Sequence, residues 1–552
     1  MPKPGTPSGT LLRHALLGMT TVAAMSAHAG GRPWISRDSV GERALGQIRP
    51  ELIRAHMRFL ADDLLEGRGT GTRGHRLSAL YAAAQYEGLG LEPRGDGGTY
   101  FQSMSLVRTQ PRETECSLVL FANGQDRTLT YGSDFVMFVD PAGPDTAVRA
   151  PVAFVGYGVT SPEQHYDDYA GIDVTGKIVA YLEGAPRSFA DAPGALFGDS
   201  DLKRETAARH GAVGILQLRL PDEDSNWDAT VAGARQGAMA LAGVSDTRTP
   251  YLAYLSRSGV TALFDRESAR WREALADVEA GKPHSFPTTR ELSVRQRTER
   301  STLDSANVVG VLRGSDAKVA SEFVVYSAHL DHLGIGEPVD GDAIYNGARD
   351  NASGVAGMLA VARAFASLAP RPRRSIVFLA TTAEEPGSLG SRYFVNHPPV
   401  PLPDIVAEIN LDGLAVFWSL RDVAGWGARH SGLGAAVEEA ARSLGLEATL
   451  PDNDSKVLIR FSDQAPFARK GIPVVWLVYG DKSWDAGVNP GALEQKWARA
   501  HLPNDDMSQP FDFDSSVKLS QAAFLTGYVV AQDVRRPSWC EGDFFGERFG
   551  PW

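Results

Sequence analysis

The chain has 552 residues, room for more than one domain, and its 43% apolar and 22% charged residues are the balance of a folded globular protein rather than a disordered one. Its 55 basic and 67 acidic residues give a formal net charge of −12, and no basic stripe of the kind that neutralises phosphates is visible, which argues against a nucleic-acid partner. Two cysteines, Cys116 and Cys540, are too few for a disulfide scaffold.

Lys3, Arg13 and His14 precede an apolar run over 15–25, and Ala27-His28-Ala29 follows. Positive, then apolar, then A-x-A is the pattern of a secretory signal peptide, which predicts that residues 1–29 direct export to the periplasm or the exterior. The run is too short to anchor in a bilayer, and no later stretch approaches about 18 unbroken apolar residues, so no membrane span is expected.

Residues 45–95 read as helical: Leu52, Ile53, His56, Phe59, Leu60 and Leu64 recur at helical spacing, as do Leu77, Leu80, Tyr81 and Ala84. Between the two runs lies Gly69-Thr70-Gly71-Thr72-Arg73-Gly74, a formal G-x-G-x-x-G. A dinucleotide site needs a strand before that motif, and here a helix precedes it. Residues 100–140 alternate in the β manner. Residues 150–290 carry strand and helix patterns of their own and read as a separate small α/β module, and the polar stretch 281–301 reads as a linker.

From 305 onward strands and helices alternate, which predicts a mostly parallel central sheet flanked by helices. The strands are expected at Asn307–Leu312, Glu322–Ser327, Ser375–Ala380, Ile405–Leu411 and Ile472–Val478, and the helices at about 353–368, 431–444, 463–470 and 515–533. Several strand ends in this block carry acids or histidines: His329 and Asp331, then Glu384 and Glu385, then Asp412. Asp350 sits just before a helix, and His501 lies in the loop before the last one. Ligands of open α/β sheets bind outside the carboxyl ends of the strands, so these residues are expected to converge.

A hard or borderline dication takes imidazole and carboxylate ligands. His329, Asp350, Glu385, Asp412 and His501 supply two nitrogens and three carboxylates, enough for two metals if one carboxylate bridges. No H-E-x-x-H occurs, which argues against a helix-borne single-zinc protease site.

With these residues in view, the chain resembles the M28 family of zinc metallopeptidases, the group of aminopeptidase Y and the bacterial leucyl aminopeptidases. The resemblance is carried by 328–334 (AHLDHLG), 346–354 (NGARDNASG), Glu384-Glu385, Asn410-Leu411-Asp412, Ser462-Asp463-Gln464-Ala465-Pro466-Phe467, the His501 loop and the N-terminal Leu64–Gly71 segment. It implies a peptidase domain formed by residues 30–145 and 300–535, a protease-associated domain inserted at 150–290, and a tail at 536–552. It further implies two zinc ions per chain, with Asp350 bridging them, His329 and Asp412 on one, and Glu385 and His501 on the other. Asp331 would hydrogen-bond the far nitrogen of His329, and Glu384 would be the general base. Two departures stand out: Gln464 replaces the usual histidine of S-D-H, and His501 lacks the usual preceding tyrosine. Asn351 and Ser353 read as caps of the following helix.

The function implied is that of an exported aminopeptidase acting on peptide substrates. A single-zinc glutaminyl cyclase and a carboxypeptidase share the fold, and a metal-free receptor-like binding protein is the non-enzyme alternative.

Overall fold

A computed structural model describes residues 39–122, 124–140, 145–219, 227–244, 248–497 and 500–550. The expected signal peptide at 1–29 lies outside the described residues.

The centre is a ten-stranded sheet whose middle strands run parallel: Ser375–Thr381 beside Phe323–His329, then Ile405–Asn410, then Val474–Tyr479. Beyond Ser375–Thr381 the sheet turns antiparallel through Thr298–Leu312, Phe101–Pro111 and Ala238–Leu241. Beyond Val474–Tyr479 it ends in antiparallel Asp422–Trp426 and the short Glu447–Thr449. The strands Phe323–His329, Ser375–Thr381 and Ile405–Asn410 are buried at every position. Both faces are covered, so the strands read as unbroken apolar runs instead of alternating ones.

The pleat sorts their side chains. Val324, Tyr326 and Ala328 join the core under helices Pro50–Leu60, Arg73–Gly88, Gly354–Ala366, Leu433–Ser443 and Phe513–Gln532, while Phe323 and Val325 face the opposite core with Phe394 and Phe467. The four late helices fall within two residues of their expected ends.

A second, eight-stranded sheet runs Gln125–Thr128, Ser117–Ala122, Ser285–Gln296, Thr146–Val155, Ile178–Leu182, Gly214–Leu218, Tyr251–Leu255 and Phe135–Val136. This corrects two expectations. Strands from 117–136 belong to the smaller unit, so it starts before residue 150. The stretch 281–301 is no linker but two long strands, Ser285–Gln296 and Thr298–Leu312, one in each sheet. Only alternate positions of Ser285–Gln296 are buried (Phe286, Arg290, Leu292, Val294, Gln296), so its exposed Thr, Arg and Glu residues gave it a polar, linker-like composition. Cys116 and Cys540 are both free thiols.

Candidate metal centre

The glycine-rich turn packs the N-terminal segment onto the carboxyl ends of the sheet. Gly67 has φ +64°, and a Cβ there would lie 2.5 Å from the carbonyl oxygens of Gly334 and Tyr345. At Gly74 a Cβ would lie 1.7 Å from the Leu65 carbonyl, so no side chain fits where helix Arg73–Gly88 starts. The glycines therefore serve close backbone approach and no nucleotide.

His329 ends strand Phe323–His329, Glu384 and Glu385 follow Ser375–Thr381, and Asp412 follows Ile405–Asn410. Asp350 sits in the tight turn before helix Gly354–Ala366. His501, with φ 65°, hangs from the loop before Phe513–Gln532. The two oxygens of Asp350 face different partners. His329 Nε2 lies 3.2 Å from Asp350 Oδ1 and 3.4 Å from Asp412 Oδ1. His501 Nε2 lies 3.3 Å from Asp350 Oδ2 and 3.1 Å from Glu385 Oε2. Donor atoms of His329, Asp350 and Glu385 all fall within 4.8 Å of one another.

A surrounding layer holds these groups. His329 Nδ1 donates to the main-chain carbonyl of Asp331 at 3.0 Å, which leaves the Nε2 lone pair toward the acids. The Asp331 carboxylate, expected at that nitrogen, instead accepts from Thr70 Oγ1 at 2.8 Å and from the Glu384 N–H at 3.1 Å. Asp505 accepts the N–H groups of Arg349 and Asp350 at 2.9 and 3.0 Å. Ser462 Oγ donates to Asp412 Oδ2 at 2.7 Å, and Trp476 Nε1 to the Asp412 carbonyl at 2.9 Å. Buried Arg68 donates to the carbonyls of Leu60, Leu330, Asn346 and Gly347 and so ties the glycine turn to both ligand loops.

Gln464 is fully buried and bonds Asn410 and the main chain at Val457, so it braces the strand before Asp412. Asn351 caps the Gly354 N–H, whereas Ser353 bonds the Arg349 carbonyl and the Ala415 N–H. His332 had no assigned role. Its Nδ1 lies 2.6 Å from Glu385 Oε1, and its Nε2 has no partner among the described residues. The signal was available, since His332 belongs to the same short motif as His329.

Charge is unevenly spread. Burial, then the neighbouring Asp463, Asp412 and Glu385, push the Glu384 carboxyl well above its usual range. Burial opposes the charge of Asp350, yet His329, His501 and His332 hold it well below the ordinary carboxylate value. Bonds to Asp350 and Glu385 raise His501 to about 11. Three mostly buried carboxylates converging on two imidazole nitrogens is a donor set that fits a dication, which would take the place of the histidine protons.

Residues 307–524 match the model of peptidase family M28. That stretch, which holds all the candidate ligands, is similar to the peptidase domain of family M28. Aminopeptidase NAALADL1 of Mus musculus is 33% identical over 264 residues, covering 39% of this chain and 33% of the relative. Its Rattus norvegicus counterpart is 27% identical over the same coverage. The chain thus spans 33% of the length of these curated relatives. Among solved structures, an aminopeptidase from Aneurinibacillus sp. strain AM-1 aligns with a TM-score of 0.54 at 18% identity, covering 91% of this chain and all of the other, so the two share a fold.

Proposed function

We propose that this protein is an exported aminopeptidase that binds two zinc ions and hydrolyses the first peptide bond of its substrates. The observation that carries this reading is the split environment of Asp350, with His329 and Asp412 at one oxygen and His501 and Glu385 at the other. His329, Asp412 and Asp350 would hold one ion, and His501, Glu385 and Asp350 the second. Zinc bound there supplies Lewis acidity: it lowers the pKa of water and polarises a carbonyl.

The chain's own residues do the rest. Glu384, on the turn after strand Ser375–Thr381, accepts a proton from the attacking water at its carboxylate and returns it to the leaving amine. Asp331 fixes that turn through the Glu384 N–H, and Ser388 Oγ reaches Glu384 Oε1 at 3.3 Å. The smaller unit is proposed as an inserted protease-associated-like domain. Export rests on the leader pattern of residues 1–29.

Metal analysis of the purified protein, paired with aminoacyl p-nitroanilides bearing free or blocked N-termini, tests the reading. Two zincs per chain and turnover of free N-termini alone are expected. One zinc per chain, or hydrolysis of blocked substrates, refutes it.

A further inference from the structure

The turn that carries Glu384 has a second side. Gly387 and Ser388, whose N–H groups both bond the Glu384 carbonyl at 2.7 Å, line a cavity of about 390 Å³ between the larger unit and helix Ser200–Arg209 of the smaller unit. Ile459 and Arg460 line it too, and the chain continues from them through Phe461 to Ser462, the residue bonded to Asp412. Two separate loops of the metal centre therefore continue into this one cavity.

The cavity is cationic. Arg392, Arg460, Arg469 and Lys470 line it, against only Asp199 and Asp201. Asp199 is engaged, since it caps helix Ser200–Arg209 and pairs with Arg469 at 2.9 Å. Asp201 pairs with Arg248 and lies 3.5 Å from Arg204. The charges that act on Arg392 are those of Asp201, Arg248, Arg469 and Asp199, and both acids already serve those other arginines. Among the described residues the Arg392 guanidinium makes no hydrogen bond and no ion pair. Such a fork of donors is complementary to a carboxylate.

Direction comes from the chemistry. A group that protonates the leaving amine must lie on the leaving side of the scissile bond, so the departing peptide extends past Glu384. The cavity lies against the turn that carries Glu384, where Gly387 and Ser388 line it. We propose that the cavity beside Glu384 receives the carboxylate of the residue following the scissile bond, with Arg392 as its chief contact, so that the preferred substrates are short peptides with a carboxylate near the cut. This rests on the aminopeptidase reading above.

The carboxylate has two sources, the free C-terminus of a dipeptide or an acidic side chain at the second position, and three substrates separate them: Leu-Ala, Leu-Ala amide and Leu-Asp amide. Leucine p-nitroanilide, which has no carboxylate, is the internal control. One charge-assisted bond is expected to favour Leu-Ala, Leu-Asp amide or both over Leu-Ala amide by about tenfold in kcat/KM, expressed in KM. Arg392→Gln should erase that advantage and leave leucine p-nitroanilide turnover unchanged; Arg460→Gln is the companion variant.

An advantage for Leu-Ala identifies the terminal carboxylate as ligand, and one for Leu-Asp amide identifies the side chain. Equal kcat/KM on all three peptides, or an advantage that survives both substitutions, overturns the assignment while leaving the aminopeptidase intact. Inertness toward leucine p-nitroanilide and the peptides alike removes the aminopeptidase reading and this inference with it.

Discussion

Asp505 Oδ2 accepts the main-chain N–H of Asp350 at 3.0 Å, while its Oδ1 takes the N–H of Arg349. A buried carboxylate outside the proposed ligand set thus fixes the backbone of the bridging residue. Asp505→Ala removes both acceptors. Zinc affinity is expected to fall by roughly 10–100-fold, the usual cost of losing a group that orients a metal ligand. Competition with a chromogenic chelator measures it, and an unchanged affinity would show that the turn holds its shape alone.

Asp350→Ala should release both ions together, because each proposed half-site loses a shared oxygen. Elemental analysis after gel filtration reads the stoichiometry. Retention of two tightly held zincs would remove the bridge.

Glu384→Gln keeps the shape of the turn and deletes the proton acceptor. Turnover should drop by about 10²-fold or more with zinc content unchanged. Single-turnover kinetics beside metal analysis distinguish loss of chemistry from loss of metal, and full activity would move the base elsewhere.

Arg68 is 1% exposed and donates to four carbonyls, and burial draws its pKa down to about 10. Arg68→Met strands those acceptors. A destabilisation of about 3 kcal/mol or more is expected, at ~1–3 kcal/mol for each buried group left unpaired. Urea denaturation measures it, and a change under ~1 kcal/mol would mean that water replaces the guanidinium.

His430 sits between Asp454 and Asp543, at 2.9 and 2.6 Å, and joins the helix Leu433–Ser443 region to the C-terminal segment. Burial opposes its charge, but the two carboxylates raise its pKa from 6.5 to about 9. A raised folded-state pKa gives stability that is complete below about pH 6.5 and is lost as pH climbs through about 9. The Tm gap between the natural protein and His430→Gln should therefore be widest near pH 6 and narrow above pH 9. A gap independent of pH would assign the cluster to neutral hydrogen bonds.

Much of this architecture is legible in the sequence, for a physical reason. Strands buried on both faces, such as Phe323–His329, must be apolar throughout, and the polar residues that end them stand out. That is how His329, Glu384, Glu385 and Asp412 announce themselves. The supporting layer is harder to read. Asp505 acts on backbone N–H groups more than 150 residues away, and Arg68 acts through main-chain carbonyls, so neither carries a local pattern. Sheet membership is equally silent: the alternation of Ser117–Ala122 fits either sheet, and only its pairing with Ser285–Gln296 decides. At 281–301, exposed alternate positions lent two strands the composition of a tether.

Those two strands carry a consequence of their own. The chain enters the smaller unit at Arg112 and leaves it at Arg297, and these residues are joined by an N–H to carbonyl bond of 2.8 Å. Entry and exit lie side by side at the end of a ribbon formed by Phe101–Pro111 and Thr298–Leu312. A tight hairpin could close that ribbon without moving either strand, so the whole accessory body is a graft on a single stem. Among the described residues, the edge strand Ala238–Leu241 is the one strand it lends back to the larger sheet, and a shortened protein would have to give up that border.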